Sequence, residues 1–347
     1  MGELDGKGLR LISSLLDLYH YNRFTSRVYS EMPFGQVVIG PPGSGKTSYC
    51  HGLQQILSQI NRKAFFVNLD PANDGLPYEC DADIRAIHPL SRIMEKERLG
   101  PNGGLVRALE LLEKDFDFWY ESEWPQSNGE EEEEDYYFVI DCPGQVELFT
   151  NHASLRNMLG TLMSKHDFRL VTVHLVDMSL CLDASRLLAA QLLALRSMLM
   201  LECPHVNVLS KIDLVPQLGL PHTQLEQYCY AASFGDHADL SRFGQRYGEL
   251  HRSLSELMED YGLVQFVPLA VEDKEAMLFL LGEVDRASGL VFGALCDGND
   301  SINEAAVGEK TWDDLLLLMQ ERYFDPPHDF NTHDQPPHEQ EPGKDDK

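Results

Sequence analysis

An apolar run, Phe34–Ile39, leads directly into Gly40-Pro41-Pro42-Gly43-Ser44-Gly45-Lys46-Thr47, and this junction limits the possible folds more than any other stretch of the chain. The spacing G-x-x-x-x-G-K-[ST] is that of a loop whose backbone N–H groups close around phosphate oxygens. Glycines at 40, 43 and 45 permit the turn, and the positive end of a following helix stabilises the anion. Leu53, Ile56, Leu57 and Ile60 supply that helix, at 3.6-residue spacing within 48–60. Gly43, Ser44, Gly45, Lys46, Thr47 and Ser48 are therefore candidate phosphate residues. Lys46 reaches the β- and γ-phosphates, and the Thr47 hydroxyl is left to ligate Mg²⁺.

Further apolar runs occur at 64–69, 136–140, 170–176, 206–209 and 264–269, with helical stretches between most of them. Alternating β and α elements imply an α/β P-loop NTPase fold, a mostly parallel sheet with helices on both faces. Asp70, Asp141, Asp177 and Ser210-Lys211-Ile212-Asp213 stand where strands stop. In an open sheet of this kind ligands bind beyond the carboxyl ends of the strands, so this polar set faces one crevice.

A phosphate loop alone does not separate an ATPase from a GTPase or a kinase. Asp141-Cys142-Pro143-Gly144-Gln145 places a carboxylate to hold Mg²⁺ and a Gly144 N–H to meet the γ-phosphate. Ser210-Lys211-Ile212-Asp213 fits a base-reading motif, [N/S]-K-x-D. Guanine offers two adjacent donors, N1–H and the 2-amino group, which one carboxylate accepts as a pair, and adenine does not. The stem of Lys211 covers one face of the base, and Ser210 is too short to reach the base edge, so discrimination rests on Asp213.

The formal charge of −28, from 28 basic and 56 acidic residues in 347, argues against a direct nucleic-acid or anionic-membrane surface. Cysteines at 50, 80, 142, 181, 203, 229 and 296 include no C-x-x-C pair, and read as buried thiols of a reducing compartment. The longest apolar stretch, 187–201, is broken by Gln191 and Arg196. The expectation is a soluble, cytoplasmic protein without a membrane span. The expected organisation is an N-terminal extension at 1–32, a nucleotide-binding domain at 33–295, and a C-terminal helix with an acidic disordered tail at 296–347. Within the domain lie an acidic loop at 126–135 and a variable insertion at 214–248. The extension carries Leu9, Leu11, Ile12, Leu15 and Leu16 in a short amphipathic pattern; a docking helix, a disordered extension and a start at Met32 are all open.

Gly100-Pro101-Asn102 reads locally as a tight turn ahead of a helix starting near Leu105. Together with the motifs above, it makes the chain resemble the GPN-loop GTPases, over about Met32 to Gly293. Asn68-Leu69-Asp70-Pro71-Ala72-Asn73, Leu76-Pro77-Tyr78-Glu79-Cys80, and Asp141 through Phe149 look like the type-2 branch, where Ser before Lys-Ile-Asp is usual. The resemblance implies GTP and Mg²⁺ as ligands, with Thr47, Asp70 and Asp141 around the ion. It implies a dimeric (SIMIBI-like) P-loop GTPase, either a homodimer or a heterodimer with a type-3 paralogue. In such a dimer Asn102 contacts phosphate in the partner's site. Asp70 places the ion or the attacking water, and Gln145 with Glu147 orients that water. Ala270 would give a backbone contact to guanine. A role in assembly and nuclear import of RNA polymerase II is implied as well, polymerase III being left open, with shuttling to the nucleus. The rival readings are an assembly adaptor that scarcely hydrolyses nucleotide and a small-molecule P-loop kinase.

Overall fold

Val37 and Val38 are neighbours in sequence, both fully buried, and they serve two different cores, because successive side chains of a strand point to opposite faces. The same alternation recurs at Phe65 and Phe66 and at Phe138 and Val139. Such strands must lie inside a sheet covered on both sides. The computed structural model describes residues 32–73, 75–125, 136–218, 225–230, 242–262, 264–290 and 311–325. The N-terminal extension before Met32, the acidic loop 126–135, parts of the insertion and the acidic tail from 326 lie outside the described residues.

The strands are β1 (Phe34–Ile39), β2 (Ala64–Asn68), β3 (Ala82–Asp83), β4 (Tyr137–Asp141), β5 (Arg169–Asp177), β6 (His205–Ser210) and β7 (Phe266–Leu269). They form one parallel sheet in the order β3-β2-β4-β1-β5-β6-β7. The expected fold class is the one observed. The two-residue β3 was not expected, and β7 begins at Phe266 rather than at 264.

Twelve helices are described: α1 (Lys46–Gln59), α2 (Ile84–Ile87), α3 (Leu90–Glu97), α4 (Pro101–Glu123), α5 (Val146–Thr150), α6 (Ala153–Lys165), α7 (Ala184–Leu201), α8 (Val215–Leu218), α9 (Leu225–Cys229), α10 (Arg242–Tyr261), α11 (Lys274–Ser288) and α12 (Trp312–Met319). Leu53 and Leu57 of α1, with Leu280 and Val284 of α11, cover one face of the sheet; Leu109 and Leu112 of α4, with Leu155 and Leu159 of α6, cover the other. Within this layer an ion pair joins the residues after α1 to α11. The Arg62 guanidinium donates to Asp285 at 2.9 Å and lies 3.8 Å from the centre of the Tyr137 ring. None of the described helices is long and apolar enough to cross a membrane.

β1 occupies the centre, with β4 on one side and β5 on the other, so the chain reverses its direction of winding there. The carboxyl end of β1 is thus the switch point where an open sheet leaves a crevice. Register brings Val38 opposite Asp141 and Leu209 and Ser210 opposite Val176 and Asp177, so the motif-bearing loops after β4, β1 and β6 all leave at one edge.

A polar seam breaks the apolar sheet between β5 and β6. Thr172 lies opposite His205, and His174 opposite Asn207. The two imidazole rings meet edge to face at 5.7 Å, and none of their four nitrogens has a hydrogen-bond partner among the described residues. Burial pushes both imidazoles down to about 3. In the unfolded chain they would take up protons near pH 6.5. Their contribution is therefore complete above that pH and lost as pH falls towards 3. The expected result is a denaturation midpoint that falls steeply between pH 6.5 and 5, with a shallower slope in the His174→Leu/His205→Leu protein. An unchanged slope in urea titrations of that variant would contradict this account.

Candidate functional site

Gly43 and Gly45 hold φ of 79° and 90°, in the left-handed region that side chains rarely occupy. With them the loop after β1 can wind into the first turn of α1, which begins at Lys46. Lys46 is almost wholly buried, and its ammonium donates to the carbonyls of Gly40 at 3.0 Å and Pro41 at 3.2 Å. Burial lowers its pKa, while the Asp141 and Asp70 carboxylates pull in the other direction.

Asp141 ends β4 and is 2% exposed. Burial raises its carboxyl to about 6, against the Tyr78 hydroxyl and the Lys46 ammonium, which favour the charged form. Tyr78 donates to Oδ2 at 3.0 Å. The Thr47 hydroxyl also favours the charged form, yet Oδ1 has no hydrogen bond of normal geometry. A buried carboxylate oxygen left open beside a threonine hydroxyl suits a hard divalent cation, which takes oxygen ligands. Among the described residues no three His, Cys, Asp or Glu side chains converge on one point. An ion here would therefore be held by Asp141, Thr47 and the phosphates of a ligand, as Mg²⁺ is where it binds with a nucleotide.

Asp70 follows β2 on the same edge. Burial raises its carboxyl, which accepts from the Ala72 N–H at 2.9 Å. Asn68 fixes its backbone, accepting from the Asp70 N–H at 3.1 Å and donating to Asp83 at 3.0 Å. Asp83 also forms an ion pair with Arg85, so the segment around β3 anchors this loop. Gly144 sits across from the phosphate loop. A Cβ there would lie 2.9 Å from the Lys46 Nζ and 3.2 Å from the Pro42 Cα.

Gly100-Pro101-Asn102 is not a turn ahead of the helix but its start. Gly100 is the N-cap of α4 and Pro101 its first residue, four positions earlier than expected. Asn102 is exposed and accepts from the Gln145 side chain at 2.8 Å within the same chain. Gln145 caps α5, its Oε1 is buried without a partner, and Glu147 stands exposed in the first turn of that helix.

At the other end of the crevice Ser210 is 1% exposed, and its hydroxyl lies 2.8 Å from the Ser44 carbonyl and 3.0 Å from that of Val176. It ties β6 to the phosphate loop. Lys211 takes φ 62° and donates to Asp177 at 2.6 Å. Its Cε lies 3.9 Å from where a Cβ of Gly45 would stand, so the lysine stem runs along the phosphate loop. Asp213, half-buried, lies on the short turn Ile212–Leu214, and Ala270, fully buried, follows β7. The structure thus gathers all the proposed residues along one edge of the sheet. Sequence reasoning missed two partners, Tyr78 on Asp141 and Asp177 on Lys211. Tyr78 carried no signal beyond its block; Asp177 had been noted only as a strand end.

A family described as "Conserved hypothetical ATP binding protein" matches residues 38–289. The chain is 45% identical over 296 residues to GPN-loop GTPase 2 of Danio rerio, covering 84% of this chain and 93% of the relative. It is 44% identical to GPN-loop GTPase 2 of Saccharomyces cerevisiae, over 78% of this chain and 79% of that protein. Against GPN-loop GTPase QQT1 of Arabidopsis thaliana, identity is 41% over 85% of this chain and 98% of the relative. Among solved structures it is similar to a GTPase of Pyrococcus abyssi in apo form, with TM-score 0.59, 24% identity and coverage of 74% of this chain and 98% of that one, which bears on the fold.

Asp141 must lose its proton to ligate a cation. The Mg²⁺-dependent part of triphosphate affinity should therefore fall as pH drops through about 6. In Tyr78→Phe, which removes a donor to the carboxylate, the fall should begin at higher pH. Calorimetric titration between pH 5.5 and 8 reads both, and a Mg²⁺ increment independent of pH contradicts the assignment.

Proposed function

This chain belongs to the GPN-loop GTPase family, type-2 branch, and from that and the geometry above we propose that it binds GTP with Mg²⁺ and hydrolyses it to GDP and phosphate. The observation that carries the reading is the placement of Lys46, Asp141 and Asp213 on the loops after β1, β4 and β6 at one edge of the sheet, with Ser210 bonded to the phosphate loop. That family is described as ATP-binding, whereas the relatives are called GTPases. The chemistry of Asp213 favours guanine, because a carboxylate accepts from both N1–H and the 2-amino group and finds no such pair on adenine.

The amides of Gly43 to Ser48 and the Lys46 ammonium neutralise the β- and γ-phosphates. Asp141 and Thr47 would hold Mg²⁺, which when bound would supply positive charge to offset that of the phosphates. Gly144, lacking a side chain, lets its loop approach Lys46. In this reading Asp70 and Gln145, with Glu147, orient the attacking water. Phosphoryl transfer passes through a loose transition state, so these groups act by position and charge. The resemblance adds a dimer, homomeric or with a type-3 paralogue, in which Asn102 reaches phosphate across the interface. It also adds service in assembly and nuclear import of RNA polymerase II from a cytoplasmic pool, polymerase III being left open.

One observation favours the adaptor reading, with negligible turnover in a lone subunit: Gln145 is held by Asn102 of its own chain. Single-turnover hydrolysis separates the two. Gln145→Leu and Asp70→Ala should each slow phosphate release at least tenfold while nucleotide remains bound, by analogy with other positioned catalytic groups. Unchanged rates would remove these residues from catalysis.

Base choice is tested separately. The chain should prefer GTP over ATP, and Asp213→Asn should weaken GTP by about 1–3 kcal/mol and shift preference towards xanthine. Equal affinity of the parent chain for ATP and GTP would refute the assignment.

A further inference from the structure

The base-reading turn Ile212–Leu214 is a single short turn entered through Lys211 at positive φ, and Ala270 sits on a loop between β7 and α11. Neither is regular enough to hold a carboxylate and a backbone amide against a base edge by itself. The described structure gives both the same outside support, the C-terminal segment. Thr311 caps α12 with a reciprocal hydrogen bond to Asp314, and the helix runs into a π turn, Gln320–Phe324, that packs against Ile212–Leu214 and against α8. π turns concentrate at functional sites.

The contacts of that turn are specific. Arg322 donates to Asp273, whose side chain is only 3% exposed, and its second nitrogen lies 3.8 Å from Glu275. Asp273 in turn caps α11 by accepting from the Glu275 N–H at 3.0 Å, and its own N–H donates to the Ala270 carbonyl at 3.0 Å. One ion pair thus connects Arg322 to the loop of Ala270. Beside it, Tyr323 lies close enough to both acids that its phenol, raised first by burial, is raised further by the Asp273 and Asp213 carboxylates. On the far side Gln320 accepts from the Leu225 N–H at 2.7 Å, and the Phe324 and Tyr228 rings stand 6.1 Å apart.

We propose that Arg322 is a positioning residue for base recognition: through Asp273 it holds the Ala270 loop, and the turn it belongs to holds Asp213, so guanine selectivity depends on residues 311–325. A paired carboxylate contact tolerates little misplacement, whereas phosphate binding on the rigid loop around Lys46 does not involve this corner. Loosening the brace should therefore change which base is chosen and leave phosphate affinity alone. Arg322→Lys keeps the charge but not the planar fork, and should hold the loop only in part.

The inference rests on the guanine-binding reading, and the experiment separates the two. Affinities of the full chain for GDP and ADP are measured in the parent, Arg322→Ala and Arg322→Lys, with a thermal melt of each. The expected result is a GDP-to-ADP preference reduced about tenfold in Arg322→Ala, with ADP affinity within twofold of the parent and an intermediate preference in Arg322→Lys. A parent that prefers guanine and variants that keep that preference within twofold, or lose both nucleotides equally, overturn the inference alone. A parent without preference overturns the base assignment and this inference with it. Should Arg322→Ala not fold, Arg322→Lys carries the test, and a preference within twofold of the parent overturns it.

Discussion

The arrangement of the site follows from one electrostatic constraint: a lysine ammonium and an aspartate carboxylate, Lys46 and Asp141, are both kept from water at the carboxyl edge of β1 and β4. Burying such charges is costly unless each finds partners. Lys46 is satisfied by two loop carbonyls, and Asp141 is satisfied on one oxygen only. The parallel sheet is what makes the placement possible, since a central strand flanked on both sides supplies walls to exclude solvent and a reversal of winding that leaves the loop ends open. A triphosphate with a divalent cation would complete this arrangement, because it would bring negative charge to the lysine and positive charge to the carboxylate.

In the proposed reading phosphate and base meet different parts of the chain, and those parts are physically joined. Ser210 carries the link, with its hydroxyl near the Ser44 carbonyl of the phosphate loop, and Lys211 lies along the same loop while paired to Asp177. The serine thus works as a strut, consistent with its being too short to touch a base. The turn that bears Asp213 is bounded on its other side by the C-terminal turn Gln320–Phe324.

Much of this was legible in the sequence because it is local. The strand-loop-helix around Lys46, the strands at 64–69 and 136–140, and the polar residues that end them depend on spacing within a few residues. What was not legible depends on contacts between distant segments. β3 is two residues long and exists only by pairing with β2. The helix beginning at Pro101 contains two glycines in its first turn, which lower helix propensity and suggest a turn, but packing of Gly104 against Leu90 and Met94 overrides that preference. Tyr78 meets Asp141 across 63 positions, and Arg322 meets Asp273 across 49. The His174 and His205 seam sits in strands that read as ordinary apolar runs.

The central claim is that one ligand engages all of these loops together. Crystals of the full chain grown with a non-hydrolysable guanosine triphosphate analogue and Mn²⁺ test it most directly, since anomalous scattering locates the ion independently. The account predicts one analogue with its phosphates on Lys46, the manganese beside Thr47 and Asp141, and the base edge on Asp213. An ion away from Asp141, or a base turned out of reach of Asp213 while the phosphates are bound, would contradict it.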